Sequence, residues 1–179
     1  MNTKTLFVSA IALTLSSLSI AETPAAKPAG LTDPQIAHIV VTANKIDIEA
    51  GNLAKSKTKN KAVLSFAKTM VTDHTSVNGQ ATALVTKLKV TPETNATSEA
   101  LTKGAAANIA TLGTLKDKAF DKAYTDHEVT YHEQVLSTID TELIPKATNP
   151  ELKALLEKTR PAIAAHLEHA KEMQKTLTK

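Results

Sequence analysis

Residues 66–78 read FAKTMVTDHTSVN. At about 100° per residue, Phe66, Ala67, Met70 and Val77 fall on one side of a helix. Val63 upstream and Ala81, Leu84, Val85 and Leu88 downstream continue that stripe, which predicts a helix over 61–89 with Gly79 outside the packed face. His74 lies near the middle of the same stripe, four residues after Met70. A helix of this length must bury its apolar side against other helices, and it takes a histidine with it.

The flanking sequence supplies those helices. Thr32-Asp33-Pro34 is an N-cap followed by proline in the first turn, and Ile36, Ile39, Val40, Ala43, Ile46, Ala50, Leu53 and Ala54 follow at helical spacing, predicting a helix over 34–55. SKTKN, residues 56–60, is a polar break. VTPETNAT, residues 90–97, reads as a loop, followed by a short Ala-rich helix from Ser98 to about Leu112 that Gly113 ends. A third long helix is expected over 116–143, stopped by Pro145. Asn149-Pro150-Glu151 repeats the cap-then-proline signal and opens a fourth, over 150–177, in which Pro161 should kink the helix or leave a carbonyl unpaired. Strand-like alternation is absent. The expected architecture is all-α: a four-helix bundle with a short extra helix between the second and third.

The first 21 residues carry Lys4, an apolar run from Leu6 to Leu18, and Ser19-Ile20-Ala21 with small residues where a signal peptidase reads. Residues 1–21 are therefore expected to be a signal peptide, 22–30 a disordered Pro/Ala linker, and 31–179 the bundle, placed in a bacterial periplasm or secreted. No cysteine occurs, which excludes disulfides, thiolate catalysis, iron–sulfur clusters and Cys-type zinc sites. The net charge of +3 is small and the lysines are interspersed with acids, so nucleic acid is not an expected partner. No membrane span is expected after the leader. The outer faces carry ordinary mixed charge, which disfavours docking to a membrane surface or to a hydrophobic ligand.

The question posed by His74 recurs twice. On the third long helix, Tyr124, Tyr131, Val135, Leu136, Ile139 and Leu143 mark the apolar face, with Glu128 and His132 inside it. On the fourth, Leu152, Leu156, Ile163, Ala170 and Met173 mark it, with His166 near the centre and His169 at the edge. An unpartnered buried polar group costs roughly 1–3 kcal/mol. One metal ion would satisfy three imidazoles together, and facing helices of a bundle are where such sites are built. The candidate ligands are His74, His132 and His166, with Glu128 or Glu49 as a fourth ligand or a hydrogen-bond acceptor behind one; Asp47 and Glu49 both lie toward the flanks of the first stripe. The alternative is a polar network in which the histidines bond to Tyr124, Tyr131, Asp73 or Thr159. Whether the three share one height in the bundle is left open by the sequence. His38 and His127 fall off their stripes and are expected at the surface, and His166 with His169 makes a weak i, i+3 surface chelate.

EAGNLA (49–54), FAKTMVTDH (66–74), FDKAYTDHEVTYHEQVL (120–136) and NPELKALLEKTRPAIAAHLEHA (149–170) stand in the order and spacing of the DUF4142 family, which the chain resembles over nearly the whole domain. The resemblance implies an exported bacterial protein of the ferritin-like superfamily, with the first two long helices forming one antiparallel pair and the last two the other. The family's recurring positions match Glu49, Asp73, His74, Asp121, Tyr124, His132 and His166. It implies no reaction. Ferritin-like di-iron sites take a Glu from each of two helices and Glu-x-x-His from the other two. Here Val71 and Ile163 stand three residues before His74 and His166, which argues against a di-iron oxidase or iron store.

The expected function is an exported bundle holding one transition metal (zinc, copper or iron) through core histidines. Three His with one carboxylate or water suits zinc or copper better than magnesium or calcium. The alternative is a non-catalytic structural or stress-protective envelope protein. No nucleophile–base pair, GxGxxG, P-loop, HExxH or GxSxG is present, so no catalytic residue is assigned.

Overall fold

The computed structural model describes residues 30–177; the expected leader and most of the expected linker lie outside them. Among the described residues seven helical segments follow one another, six α and one π: α1 (Asp33–Lys57), α2 (Lys61–Leu88), α3 (Ala96–Thr114), α4 (Asp117–Thr138), a π turn (Ile139–Leu143), α5 (Ile144–Lys146) and α6 (Pro150–Leu177). No described residue is in a strand, and no helix among them is long and apolar enough to cross a membrane. The starts are written locally. Thr32 and Gln35 close a capping box on α1, and Asn60 and Asn149 accept the first amides of α2 and α6. α3 opens at Ala96 rather than at the expected Ser98: the Asn95 side chain caps it by accepting from the Ser98 amide, and the Ser98 hydroxyl accepts from the Asn95 amide.

Pro145 does not stop the third long helix as expected. Proline has no N–H and crowds the carbonyl four residues back. The chain absorbs this in the preceding turn, where the Ile144 amide reaches Ile139, five residues back, and the helix continues to Lys146. Pro161 likewise sits inside α6 without ending it.

The four long helices α1, α2, α4 and α6 form the bundle. α1 and α2 run antiparallel, with Asn44 beside His74 and Gly51 beside Ala67 and Val71. α4 and α6 are the second antiparallel pair, stitched by Asp126–Gln174, Glu133–Lys171 and Asp140–Arg160. α3 crosses the outside of α1 and α4 and buries only Ser98, Ala105 and Leu112. Two apolar clusters fill the bundle. Ala54, Val63, Phe66, Met70, Phe120, Tyr124 and Met173 pack one end. Ile36, Ile39, Ile139, Leu143, Leu152, Leu156 and Ile163 pack the other.

Gly51 fixes how closely α1 and α2 approach. A Cβ there would stand 2.9 Å from Val71 Cγ2 and 3.1 Å from the Ala67 carbonyl oxygen. Gly51→Val is expected to lower stability by about 1–3 kcal/mol through overpacking. Gly79→Ala, where nothing lies within 4 Å of the added Cβ, should raise it by up to about 1 kcal/mol through helix propensity. Urea midpoints of the two variants, moving in opposite directions, check both statements.

Candidate metal centre

Between the two apolar clusters lies a layer of buried polar side chains: Asn44 and Asp47 from α1, His74 from α2, Thr125, Glu128 and His132 from α4, and His166 from α6. The three histidines share one height. Their ring centroids are 5.3 Å (His74–His166), 5.7 Å (His132–His166) and 5.8 Å (His74–His132) apart. One ring nitrogen from each lies within 4.8 Å of the other two. An ion bound by three imidazoles at about 2.0–2.1 Å would draw such a triangle inward.

The partners of each ring fix its tautomer. Asn44 donates its amide to the Val40 carbonyl and so turns its oxygen to His74, which donates from Nδ1 at 2.8 Å. His132 donates from Nδ1 to the Glu128 carbonyl at 2.9 Å. His166 donates from Nε2 to the Asp73 carboxylate at 2.9 Å. The opposite nitrogens (His74 Nε2, His132 Nε2 and His166 Nδ1) are buried and find no partner. Burial, and then the neighbouring imidazoles His132 and His166, push His74 down to about 3. Burial also takes His132 down to about 4, against the bond to the Glu128 carbonyl. Both rings are therefore neutral near pH 7, with a lone pair on the unpartnered nitrogen. Metal-ligating histidines have this form, the far N–H held by a carboxylate, carbonyl or amide oxygen.

Two carboxyls stand behind the rings. Asp47 Oδ2 is 3.5 Å from His74 Nδ1, and Glu128 Oε2 is 3.4 Å from His132 Nδ1. Both are fully enclosed, and neither Glu128 oxygen has a hydrogen-bond partner. Burial raises Asp47 well above the usual carboxylate range, with the Glu128 charge adding to it. Burial likewise raises Glu128 to about 8, although the Tyr124 hydroxyl is near enough to favour its charge without forming a well-aligned bond. Asp47, Glu128 and His132 form a second group of converging ligand atoms, again within 4.8 Å.

These groups give the metal-free protein an unusual pH dependence. The depressed histidines contribute stability that is complete above their usual 6.5 and is lost as pH falls from there toward 4 and 3. Glu128 does the reverse: its contribution is complete below 4.5 and is lost as pH rises toward 8, and Asp47 shifts in the same direction. The terms oppose one another between pH 4.5 and 6.5. Metal-free stability should peak there and fall between pH 6.5 and 8, by up to about 1.4 kcal/mol per pH unit for each carboxyl that titrates. Urea unfolding of chelator-treated protein at pH 5.5, 6.5 and 8 checks this; stability that is flat or rising over the upper interval contradicts it.

Of the residues read from the sequence, His74, His132, His166 and Glu128 come together. Glu49 does not: its side chain is 52% exposed and pairs with Lys45. Asp47, expected at a flank, is buried instead, together with Asn44, which sequence reasoning missed. The signal was the spacing Val40, Asn44, Asp47, Gly51, a second stripe on α1. Asp121 lies apart from the centre, accepting from Thr58 at the α1–α2 turn. His38 and His127 are not surface residues but half-buried under α3, each with a buried nitrogen lacking a partner. His166 and His169 make no chelate, since His166 turns inward and His169 stands edge-on to Phe66.

The family model described as a domain of unknown function, DUF4142, matches residues 18–173. The chain belongs to the DUF4142 family. No curated protein matches its sequence. Two solved structures share the fold of this DUF4142 chain. A DUF305 protein from Streptomyces coelicolor superposes with a TM-score of 0.69 at 11% identity, over 80% of this chain and 92% of that one. CopM in its Cu(II)-bound form superposes with a TM-score of 0.63 at 14% identity, over 82% of this chain and 98% of that one.

Proposed function

We propose that this DUF4142 protein is an exported metal-binding bundle that holds one transition-metal ion on His74, His132 and His166. The observation that carries the reading is that three rings offering ligand nitrogens within 4.8 Å of one another each keep one buried nitrogen without a partner while the opposite nitrogen is bonded. A network serving only to fix helix register would use both sides of each ring. It would also bring Tyr131 to the histidines, whereas the Tyr131 hydroxyl bonds to the Ala43 carbonyl. Of the partners proposed for such a network, only Asp73 is engaged.

The donor set narrows the ion. Three imidazoles suit zinc or copper, and a dication among them would face two buried carboxylates, Asp47 and Glu128, that balance its charge. Glu128 acts there from behind the His132 ring rather than as a direct ligand, and Glu49 takes no part. CopM, solved with Cu(II), has a similar fold, which supports trying copper first. The leader expected from the sequence supports a location outside the cytoplasm.

The test is elemental analysis of residues 22–179, exported to a periplasm and purified without an affinity tag or chelator. About one equivalent of zinc, copper or iron is expected, with a melting temperature that falls on chelation. Folded protein that carries no metal and takes up none of the three would overturn the proposal.

A further inference from the structure

A cavity of about 50 Å³ adjoins the histidine layer on the side of the second apolar cluster. Ile39, Val40, Val135, Ile139, Leu143 and Ile163 supply most of its wall, and Asn44, Asp47 and His74 form one end. Several of its polar neighbours are occupied elsewhere. Thr138 donates to the Gln134 carbonyl, Thr159 to the carbonyls of Leu155 and Leu156, and Asn44 is engaged at both ends of its amide. A buried water needs two to four polar partners, and beyond those engaged groups the wall offers only Asp47, His74 and Gln134. The π turn supplies Ile139 and Leu143 to the wall, and such turns recur at functional sites.

The chamber also has a route to solvent. Leu101, Gln134 and Thr138 line both the chamber and an open groove between α3 and α4 of about 550 Å³. The groove carries two buried nitrogens without partners, His127 Nε2 and Asn108 Nδ2.

We infer that the chamber binds a small uncharged molecule of two to four heavy atoms, of the size and polarity of dioxygen, and presents it to the His74 side of the centre through a neck at Leu101. Apolar cavities of roughly 150 Å³ stay dry and take up benzene or xenon; one about a third as large admits only a smaller occupant. As a binding site the chamber stands independently of the metal. Its role as the approach to the ion rests on the function proposed above.

Xenon is the probe, applied under pressure to crystals of the chelator-treated protein and followed in solution by xenon NMR. One xenon site between His74 and Ile139 is expected. Ala43→Leu, which extends a side chain from the wall into the chamber, should abolish it and leave metal uptake unchanged. Leu101→Trp at the neck should slow xenon exchange several-fold while the site persists, which keeps the idea testable if Ala43→Leu fails to fold. Ordered water in place of xenon, or xenon absent from the parent protein, overturns the inference whatever the metal content. Protein that takes up none of zinc, copper or iron yet still binds xenon would sink the metal reading and leave this site standing.

Discussion

His132→Ala, purified from the periplasm under conditions in which the parent is expected to carry about one equivalent of metal, should carry essentially none. His132 is the residue common to both converging groups and is almost wholly enclosed. Its ring is held by the bond to the Glu128 carbonyl, one turn back on the same helix, so its inward nitrogen is placed by α4 itself. Removal leaves two imidazoles from α2 and α6, too few for a closed site. The second expected effect is thermodynamic. A ligand present at about 100 times its Kd stabilises the native state by about 2.7 kcal/mol, and that increment should vanish in the variant. Metal-free stability should change far less, because the lost packing is accompanied by loss of an unpartnered nitrogen. His169→Ala is the control. That ring is exposed, packs on Phe66 and should leave the metal in place. Full metal content in His132→Ala would defeat the assignment, since among the described residues no buried imidazole besides His74 and His166 remains in this layer to replace it.

Much of this arrangement was legible in the sequence because a single period carries it. Caps at Thr32 and Asn149 mark helix starts through local hydrogen bonds, which need no tertiary information, whereas Asn60 read only as part of a polar break. His74, His132 and His166 project inward because each shares a stripe with unambiguous core residues. Asp47 was harder to place. α1 packs against α2 on one side and against α3 and α4 on others, so its buried arc is wider than one stripe. A wheel centred on Ile36, Ile39 and Ile46 therefore puts Asp47 at a flank that α4 in fact covers. His38 and His127 were misread for the same reason, because the path of α3 over α1 and α4 is a tertiary fact. The common height of the three histidines also lay beyond the pattern. It depends on the register of α2 against α1 and of α6 against α4, and that register is set by contacts such as the close approach at Gly51. The chamber beside His74 left no mark on the sequence, since its walls are ordinary core residues and its volume is a matter of packing.

Glu128→Met should move stability and metal binding in opposite directions, and this separates a site from a structural network most sharply. Glu128 is fully buried with both carboxyl oxygens unpartnered, and the Tyr124 hydroxyl and Thr125 Oγ1 beside it are also orphaned. A native domain has only about 5–15 kcal/mol of net stability, so such a cluster is a serious burden in the metal-free protein. Exchanging a buried ionisable group for an apolar one of similar volume often stabilises by about 1–4 kcal/mol. The urea midpoint of chelator-treated Glu128→Met should accordingly rise, and the fall in stability between pH 6.5 and 8 should shrink, because the group titrating near 8 is gone. In the proposed metal-bound protein the same carboxylate, 3.4 Å from His132 Nδ1, would offset half the charge of a dication. Removing such an outer partner typically weakens metal affinity about 10–100-fold, and competition with a chelator of known affinity measures this directly. A network whose purpose is helix register predicts the contrary pair: lower stability when a member is removed, and no metal term to lose. If Glu128→Met proves less stable than the parent and binds metal equally well, Glu128 belongs to the packing rather than to the ion. A variant more stable without metal and poorer with it means that this core retains a destabilising carboxylate because the ion requires it.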